Sequence, residues 1–317
     1  MVIPCYRVAG QVLDVLARVG HEVERIYCID DACPEGSGRL IRERVVDPRV
    51  EVVVNPANLG VGGATMVGYR RAVEDGAEVI VKLDGDGQMD PSLLPQLVAP
   101  VVAGQADYAK GNRFWDLGHI GRMPFIRRVG NLALSFMAKA STGYWNVFDP
   151  TNGYTAIHAR LLEWLPLERV SPRYFFESDL LFRLGTLRAV VVDVPMDARY
   201  GHQTSSLQPW GVASEFAWKH LRNFVKRLGY NYFLRDLSIA SLQLLAALAL
   251  LAFAGSFGGW QWWWHAKAGV TAPLGTVMLA ALPAVMGFQL LLSFIGYDMA
   301  GIPSRAVWPM LPRQRLR

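Results

Sequence analysis

The run Lys82-Leu83-Asp84-Gly85-Asp86-Gly87-Gln88-Met89-Asp90 combines residue types that hold a hard cation with a spacing that could aim them together. Asp84 and Asp86 stand two apart, and on extended backbone such side chains share a face. Their carboxylates and the amide oxygen of Gln88 make an all-oxygen set suited to Mg2+ or Mn2+. The intervening glycines permit a tight turn and let a bulky ligand approach the backbone. A calcium loop of the EF-hand type does not fit. Counted from Asp84, its glycine position holds Met89 and its glutamate position holds Pro95. The ordinary alternative is an Asp-Gly turn between two strands.

The acidic run follows a short apolar stretch, Val79-Ile80-Val81, that reads as a buried strand. Similar stretches precede it at Met1 to Tyr6, Glu24 to Ile29 and Val50 to Val54, and helical spacings lie between them at Gln11 to Val19 and Gly38 to Val45. Strands that alternate with helices imply a mostly parallel sheet covered on both faces, with ligands beyond the carboxyl ends of the strands. Three of these strands end in candidate ligand groups: Tyr6, the pair Asp30 and Asp31, and the pair Asp84 and Asp86. The glycine-rich stretch Asn58 to Ala64 opens a helix. It serves either close packing at the helix entry or contact with a phosphate, and it matches neither of the common nucleotide loops.

Further along, Tyr108 to Phe114 reads as a strand, His119 to Arg128 as a basic loop and Asn131 to Thr142 as a helix. Arg122, Arg127 and Arg128 could grip phosphate. Asp149 to Tyr154 is a turn cluster, Tyr174 to Leu184 a helix whose aromatic start reads as core more than sugar platform, and Val190 to Val194 a last strand.

Composition adds a membrane. Hydrophobic residues make up 52% of the chain, the net charge is +5, and no basic, aromatic-interleaved patch points to nucleic acid. The three cysteines have no framework spacing and suit a reducing compartment. No signal peptide pattern is read at Met1, and the short first strand suggests a natural start further upstream. Two uncharged stretches, 237–256 and 274–295, are each long enough to span roughly 30 Å of hydrocarbon. Gly258 to Trp264 between them reads as an interfacial aromatic belt, and Glu215 to Tyr232 as a basic amphipathic helix on the inner leaflet. Lys219, Arg222, Lys226, Arg227 and Arg235 precede the spans and Arg305, Arg313, Arg315 and Arg317 follow them, against Lys267 alone in the connection. The positive-inside rule then puts both termini in the cytoplasm, as a multi-pass protein of the inner (plasma) membrane. A transporter is excluded, since two spans without interior charge offer no path.

The ordered series Val-Ile-Pro-Cys-Tyr, Asp30-Asp31-x-x-Pro-x-Gly, Asn58-x-Gly, Asp84-Gly-Asp86-Gly-Gln88, Asp149-Pro-x-Asn-Gly-Tyr and Arg199-x-Gly resembles family 2 glycosyltransferases. The nearest group is the polyprenyl-phosphate sugar transferases similar to dolichyl-phosphate mannose synthase, some of which carry a two-span anchor. The resemblance implies a GT-A fold, a Rossmann-like mostly parallel α/β sheet, over residues 1–207, followed by juxtamembrane helices at 208–236, a transmembrane hairpin within 237–296 and a basic cytosolic tail at 297–317. It implies that Pro4, Tyr6 and Asp31 hold a base and ribose, with Asp30 and Lys82 in the same nucleotide-sugar set. Asp84 would lie near ribose and phosphate, and Asp86 and Gln88 would ligate Mg2+ or Mn2+. Arg199 would bind phosphate, with Arg113, Arg127 and Arg128 as weaker candidates for the diphosphate or the acceptor phosphate. Two departures stand out: Arg7 replaces the family's usual Asn after the Tyr, and the N-terminal strand is short. Phe176-Glu177-Ser178-Asp179 resembles the Glu-Asp catalytic motif of other family 2 enzymes more than the mannose-synthase pattern.

The expected activity is metal-dependent, inverting transfer of a hexose from a UDP- or GDP-linked sugar to an undecaprenyl or dolichyl phosphate. Asp84, Asp86, Asp179 and Arg199 form the expected catalytic set. The rival within the class is transfer to a hydroxyl of a lipid-linked saccharide with Asp179 as base. The rival outside it is an inactive membrane-anchored binding protein. Two-span anchors often pair with copies of themselves, so a homo-oligomer is an expected partner state.

Overall fold

A computed structural model describes residues 1–115, 125–196 and 209–314, with side chains left aside at 125–127 and 209–213. Its centre is a sheet of seven strands: β1 (Val2–Cys5), β2 (Ile26–Asp30), β3 (Val50–Val54), β4 (Val79–Lys82), β5 (Tyr108–Asn112), β6 (Thr155–His158) and β7 (Val191–Pro195). They lie in the order β3-β2-β1-β4-β6-β5-β7. All neighbours pair in parallel except β6, which runs antiparallel to both β4 and β5.

Side chains alternate across the sheet as the period of two requires. Val2, Tyr27, Ile29, Ile80, Tyr108 and Ile157 point into one apolar core. Ile3, Cys28, Val81, Ala109 and Ala156 point into the other. The first core is closed by α3 (Gly60–Glu74), the short α6 (Ala159–Leu162) and α7 (Phe176–Thr186); the second by α1 (Val12–Ala17), α2 (Ser37–Arg44) and α4 (Leu94–Val102). Covering both faces is what lets β1 and β2 be apolar along their length.

Three local readings change. Strand β6 follows the Asp149 to Tyr154 turn cluster and escapes a periodicity search, since four residues ending in Thr and His carry almost no pattern. Helix α5 (Phe125–Thr142) begins earlier than expected, so Arg127 and Arg128 sit in its first turns. The first membrane-length helix, α9 (Ile239–Ala268), continues through the tryptophan run to a left-handed cap at Gly269, leaving a connection of only a few residues before α10 (Leu274–Ala300). Nothing in Gly258 to Trp264 breaks a helix where partner packing supports it.

The chain divides into two units, one of residues 1–224 and 303–317 and one of residues 225–302; α8 (Pro209–Gly229) runs across the boundary. In the first unit, residues 303–314 are seated against the sheet domain. Asp107, fully buried, accepts Val307 N at 2.9 Å and Trp308 N at 2.8 Å, and the Trp308 ring stacks on His158 at 3.8 Å. Burial lowers the His158 pKa to about 4. In the second unit, Ala240, Leu244, Ala247 and Ala254 form the packed seam of α9, and Gly287 of α10 lets the helices close, since a Cβ there would meet Leu251 at 2.9 Å. Both helices have mean hydropathy 2.0, with only 28% and 11% of the apolar window buried. A core helix of a water-soluble domain would be mostly covered; these are membrane-length helices with apolar faces turned outward. At the foot of α10, both oxygens of buried Asp298 take the Arg227 guanidinium at 2.5 and 2.9 Å, and the Tyr232 hydroxyl donates to it at 2.6 Å.

Candidate functional site

Strands β1, β2 and β4 are parallel neighbours, so the segments leaving their carboxyl ends are brought together. They open a cleft of about 710 Å3, the size of a small-ligand site. Of the residues singled out in the sequence, Pro4, Tyr6, Asp31, Lys82, Asp84 and Asp86 line it. Arg7, Arg173, Tyr174 and Glu177 line it too. In the turn after β1, Arg7 has φ 56°, the left-handed region that Asn tolerates and longer side chains resist, so the Arg at this position carries backbone strain.

The two carboxylates after β2 do different work. Asp30 accepts the backbone N–H groups of Cys33 at 2.8 Å and Gly38 at 2.9 Å, holding the entry of α2, and it does not line the cleft. Asp31 accepts Leu59 N and Gly60 N, both at 2.8 Å, and Asn55 Nδ2 at 2.8 Å, so it occupies the donors at the start of α3. The glycine-rich stretch packs closely at the helix entry, and its Asn58, Gly60, Val61 and Ala64 also line the cleft. Gly60 has φ 79°, Gly63 donates to Pro172 O at 2.9 Å, and a Cβ on Gly60 would strike that carbonyl.

Beneath the cleft lies a group of buried charges. Lys82 is 1% exposed, with Nζ 2.6 Å from Asp84 Oδ1 and 3.9 Å from Glu177 Oε1. Lys110, fully buried, donates to the Asn152 carbonyl. Burial pushes the Glu177 carboxyl up and the Lys110 ammonium down, each toward neutrality, and the nearby opposite charges resist it. Gly153 closes the floor: any Cβ there would collide with the Asp84 carboxylate and the Lys82 ammonium. The glycine of the Asp149 to Tyr154 cluster is thus a packing requirement of the charged site.

Asp86 accepts Gln88 N at 3.0 Å, and its carboxyl is pushed up by burial and, less, by the Asp84 charge. Among the described residues it has no ion pair, and no cluster of three or more His, Cys, Asp or Glu exists to cage a metal. That donor chemistry fits a Mg2+-type ion held by a carboxylate with ligand phosphates and water completing the shell. Gln88 does not line the cleft.

The remaining candidates fall elsewhere. Arg113 clasps fully buried Asp149 in bidentate fashion, Nε at 2.7 Å and Nη2 at 3.0 Å, which pins the turn cluster. Arg128 is exposed on α5 and does not line the cleft. The Arg127 side chain and all of Arg199 lie outside the described residues. Asp179 is 3% exposed and accepts Ser171 N at 2.9 Å, Arg183 Nη2 at 3.2 Å and Asn223 Nδ2 at 3.2 Å, away from the cleft. The carboxylate that α7 turns into the cleft is Glu177. Residues two apart on a helix point to nearly opposite sides, so one member of the Glu-Ser-Asp run had to face inward; the sequence carries no sign of which. The aromatic run divides likewise: Phe175 and Phe176 are core, Tyr174 is half exposed in the cleft wall.

Residues 1–165 match the family model Glycosyl transferase family 2. The undecaprenyl-phosphate mannosyltransferase of Micrococcus luteus is 29% identical, over 70% of this chain and 96% of its own length. The UDP-N-acetylglucosamine–dolichyl-phosphate N-acetylglucosaminyltransferase of Methanococcus voltae is 26% identical, over 63% and 85%. Among solved structures, glucosyl-3-phosphoglycerate synthase of Mycobacterium tuberculosis with Mn2+ and UDP-glucose superposes with a TM-score of 0.52 at 19% identity, covering 72% of this chain and 78% of that one. At that identity the likeness speaks for the fold alone, which is GT-A.

Proposed function

The chain belongs to glycosyl transferase family 2, and from that premise we propose that it moves a hexose from a nucleoside diphosphate sugar to a polyprenyl phosphate at a membrane surface. One observation carries the reading: a cleft with an acidic lip at the carboxyl ends of β1, β2 and β4 occurs in the same chain as two membrane-length helices. The names of the Micrococcus and Methanococcus relatives, both transferases to a polyprenyl phosphate, support the acceptor class.

In this reading Pro4, Tyr6 and Asp31 hold the nucleoside, and Asp84 lies near the ribose and first phosphate. Asp86, with Gln88 near it, takes a divalent cation that would offset the charge developing on the diphosphate leaving group. Arg173 of the cleft wall and Arg199 are the candidates to hold phosphate oxygens. Lys82 and Glu177 offer a donor and an acceptor side by side to sugar hydroxyls. The acceptor phosphate, with a second pKa of about 6, is ionised at neutral pH and attacks without a base. One displacement inverts the anomeric centre. The basic flanks of the membrane helices favour a cytoplasmic catalytic unit.

A second reading has one observation in its favour. A hydroxyl acceptor would need a base, and Glu177 is a cleft carboxylate that burial has pushed up toward neutrality; Asp179 is already occupied. The deciding experiment incubates detergent-purified protein with Mn2+ or Mg2+, undecaprenyl phosphate and radiolabelled nucleotide sugars. The expected result is label in the organic phase, lost with chelator and in Asp86→Ala. Donor hydrolysis without lipid label would reject the phosphate acceptor, and no turnover or metal-dependent nucleotide binding across the panel would reject the transferase reading.

A further inference from the structure

The segment that enters α7 brings Arg173 and Tyr174 into the cleft wall. Residues 170–175 form neither helix nor strand, so their placement depends on what surrounding groups hold. Asp179 holds much of it. Its Oδ2 accepts Ser171 N at 2.9 Å and Arg183 Nη2 at 3.2 Å, and the same Arg183 nitrogen donates to the Arg169 carbonyl. Its Oδ1 accepts Asn223 Nδ2 of α8 at 3.2 Å.

The next contacts along the chain complete the brace. The Pro172 carbonyl accepts Gly63 N of α3 at 2.9 Å. A Cβ on Gly62 would lie 2.5 Å from the Ser171 carbonyl, so α3 leaves the segment no room on that side. Phe175 is buried, with the rings of Phe216 and His220 of α8 at 5.3 and 4.8 Å. Arg173 thus stands between backbone pinned at Ser171 and Pro172 and a ring pinned at Phe175, while its own side chain is exposed in the cleft. A guanidinium on a fixed stem loses less freedom when it binds phosphate. A carboxylate that is 3% exposed, takes three donors and does not line the cleft has the chemistry of a brace.

We propose that Asp179 is a positioning residue: through Ser171 it fixes the segment that presents Arg173 to the diphosphate of the donor. This rests on the reading of the chain as a transferase that uses a nucleoside diphosphate sugar. It gives the second carboxylate of the Glu-Ser-Asp run a role in donor binding without contact to substrate. Helix α8 enters the same network through Asn223 and the rings on Phe175.

The test measures binding of UDP and GDP with Mn2+ to the full chain in detergent, by titration calorimetry, with the thermal midpoint of each variant alongside. Asp179→Ala removes the brace, and Asp179→Ser removes it while leaving room for a water, which keeps a folded variant in hand. The expected result is that both weaken nucleotide binding about tenfold, as Arg173→Ala does. Combining Asp179→Ser with Arg173→Ala should weaken it no further, because both changes remove one interaction. Asp179→Asn keeps an acceptor oxygen for Ser171 and Arg183, and the Asn223 amide can turn over to meet its NH2 group. It should bind within about threefold of wild type and keep the pH profile of transfer. Unchanged binding in Asp179→Ala and Asp179→Ser overturns the proposal, and so do losses that add in the double variant. Binding kept but transfer abolished in Asp179→Asn would make the residue a base and overturn it as well. No metal-dependent nucleotide binding by the wild type would remove the transferase reading and the proposal with it. The binding measurements need no turnover, so a wrong acceptor leaves them decisive.

Discussion

Two groups of buried charge differ in how completely they are answered. At the foot of α10, Asp298 gives both oxygens to Arg227 and one also to the Tyr232 hydroxyl, with all three residues buried. Under the cleft, Lys82 leans on Asp84 and more distantly on Glu177, Lys110 rests on a carbonyl, and several of these groups face an open cavity. A closed polar network specifies packing, whereas an incompletely answered one is costly to keep and marks a place where a ligand is meant to complete it. Buried charge alone does not identify a site; unanswered buried charge beside a cavity does.

The largest expected effect tests the closed group. Arg227→Ala leaves Asp298 buried without its cation and should cost about 3–5 kcal/mol, read as a lower thermal midpoint in detergent. Combining Arg227→Met with Asp298→Leu should recover most of it. A midpoint unchanged by Arg227→Ala would erase the contrast.

Gly153→Ala probes the open group from its floor. The new Cβ must displace Asp84 or Lys82, at about 1–3 kcal/mol for overpacking, and label transfer should fall further than stability does. Transfer at the wild-type rate would mean that the Lys82–Asp84 geometry is not used.

Glu177→Gln should separate stability from activity. A carboxyl raised in the fold is stabilising when protonated, and that contribution is lost as pH rises from the ordinary carboxylate range toward the raised folded value. Wild type and variant should therefore have similar midpoints near pH 4, with the variant gaining as pH approaches 8, on the order of 1 kcal/mol, while its transfer rate drops. Identical pH profiles would place Glu177 with the answered charges. The smallest effect is at the rim: Arg7→Asn relieves a left-handed residue and should raise stability by under about 1 kcal/mol, measured as the denaturant midpoint.

The same contrast separates what could be read locally. The carboxyl ends of β1, β2 and β4 were legible because each follows an apolar run, and parallel packing makes neighbours of strand ends. The opposite wall was not. Arg173 and Glu177 line the cleft from the approach to α7 and its first turn, and Gly153 of the turn cluster closes the floor beneath Asp84 and Lys82. Arg113 looked like a phosphate ligand by type, yet its guanidinium holds Asp149, a pairing across 36 residues that no local pattern contains.

From its own residues the chain determined where most strands and helices form, β6 excepted, that the Asp84 and Asp86 turn ends a buried strand, and that two segments suit a membrane. These follow from side-chain periodicity, backbone freedom at glycine and apolar length, all properties of neighbours in sequence. Tertiary structure alone decided that Glu177 rather than Asp179 enters the cleft, that Asp30 and Arg113 serve the scaffold, and that residues 303–314 close over Asp107 and His158. The physical reason is common to all three. Whether a charge is answered depends on which distant groups the sheet order brings within hydrogen-bond reach.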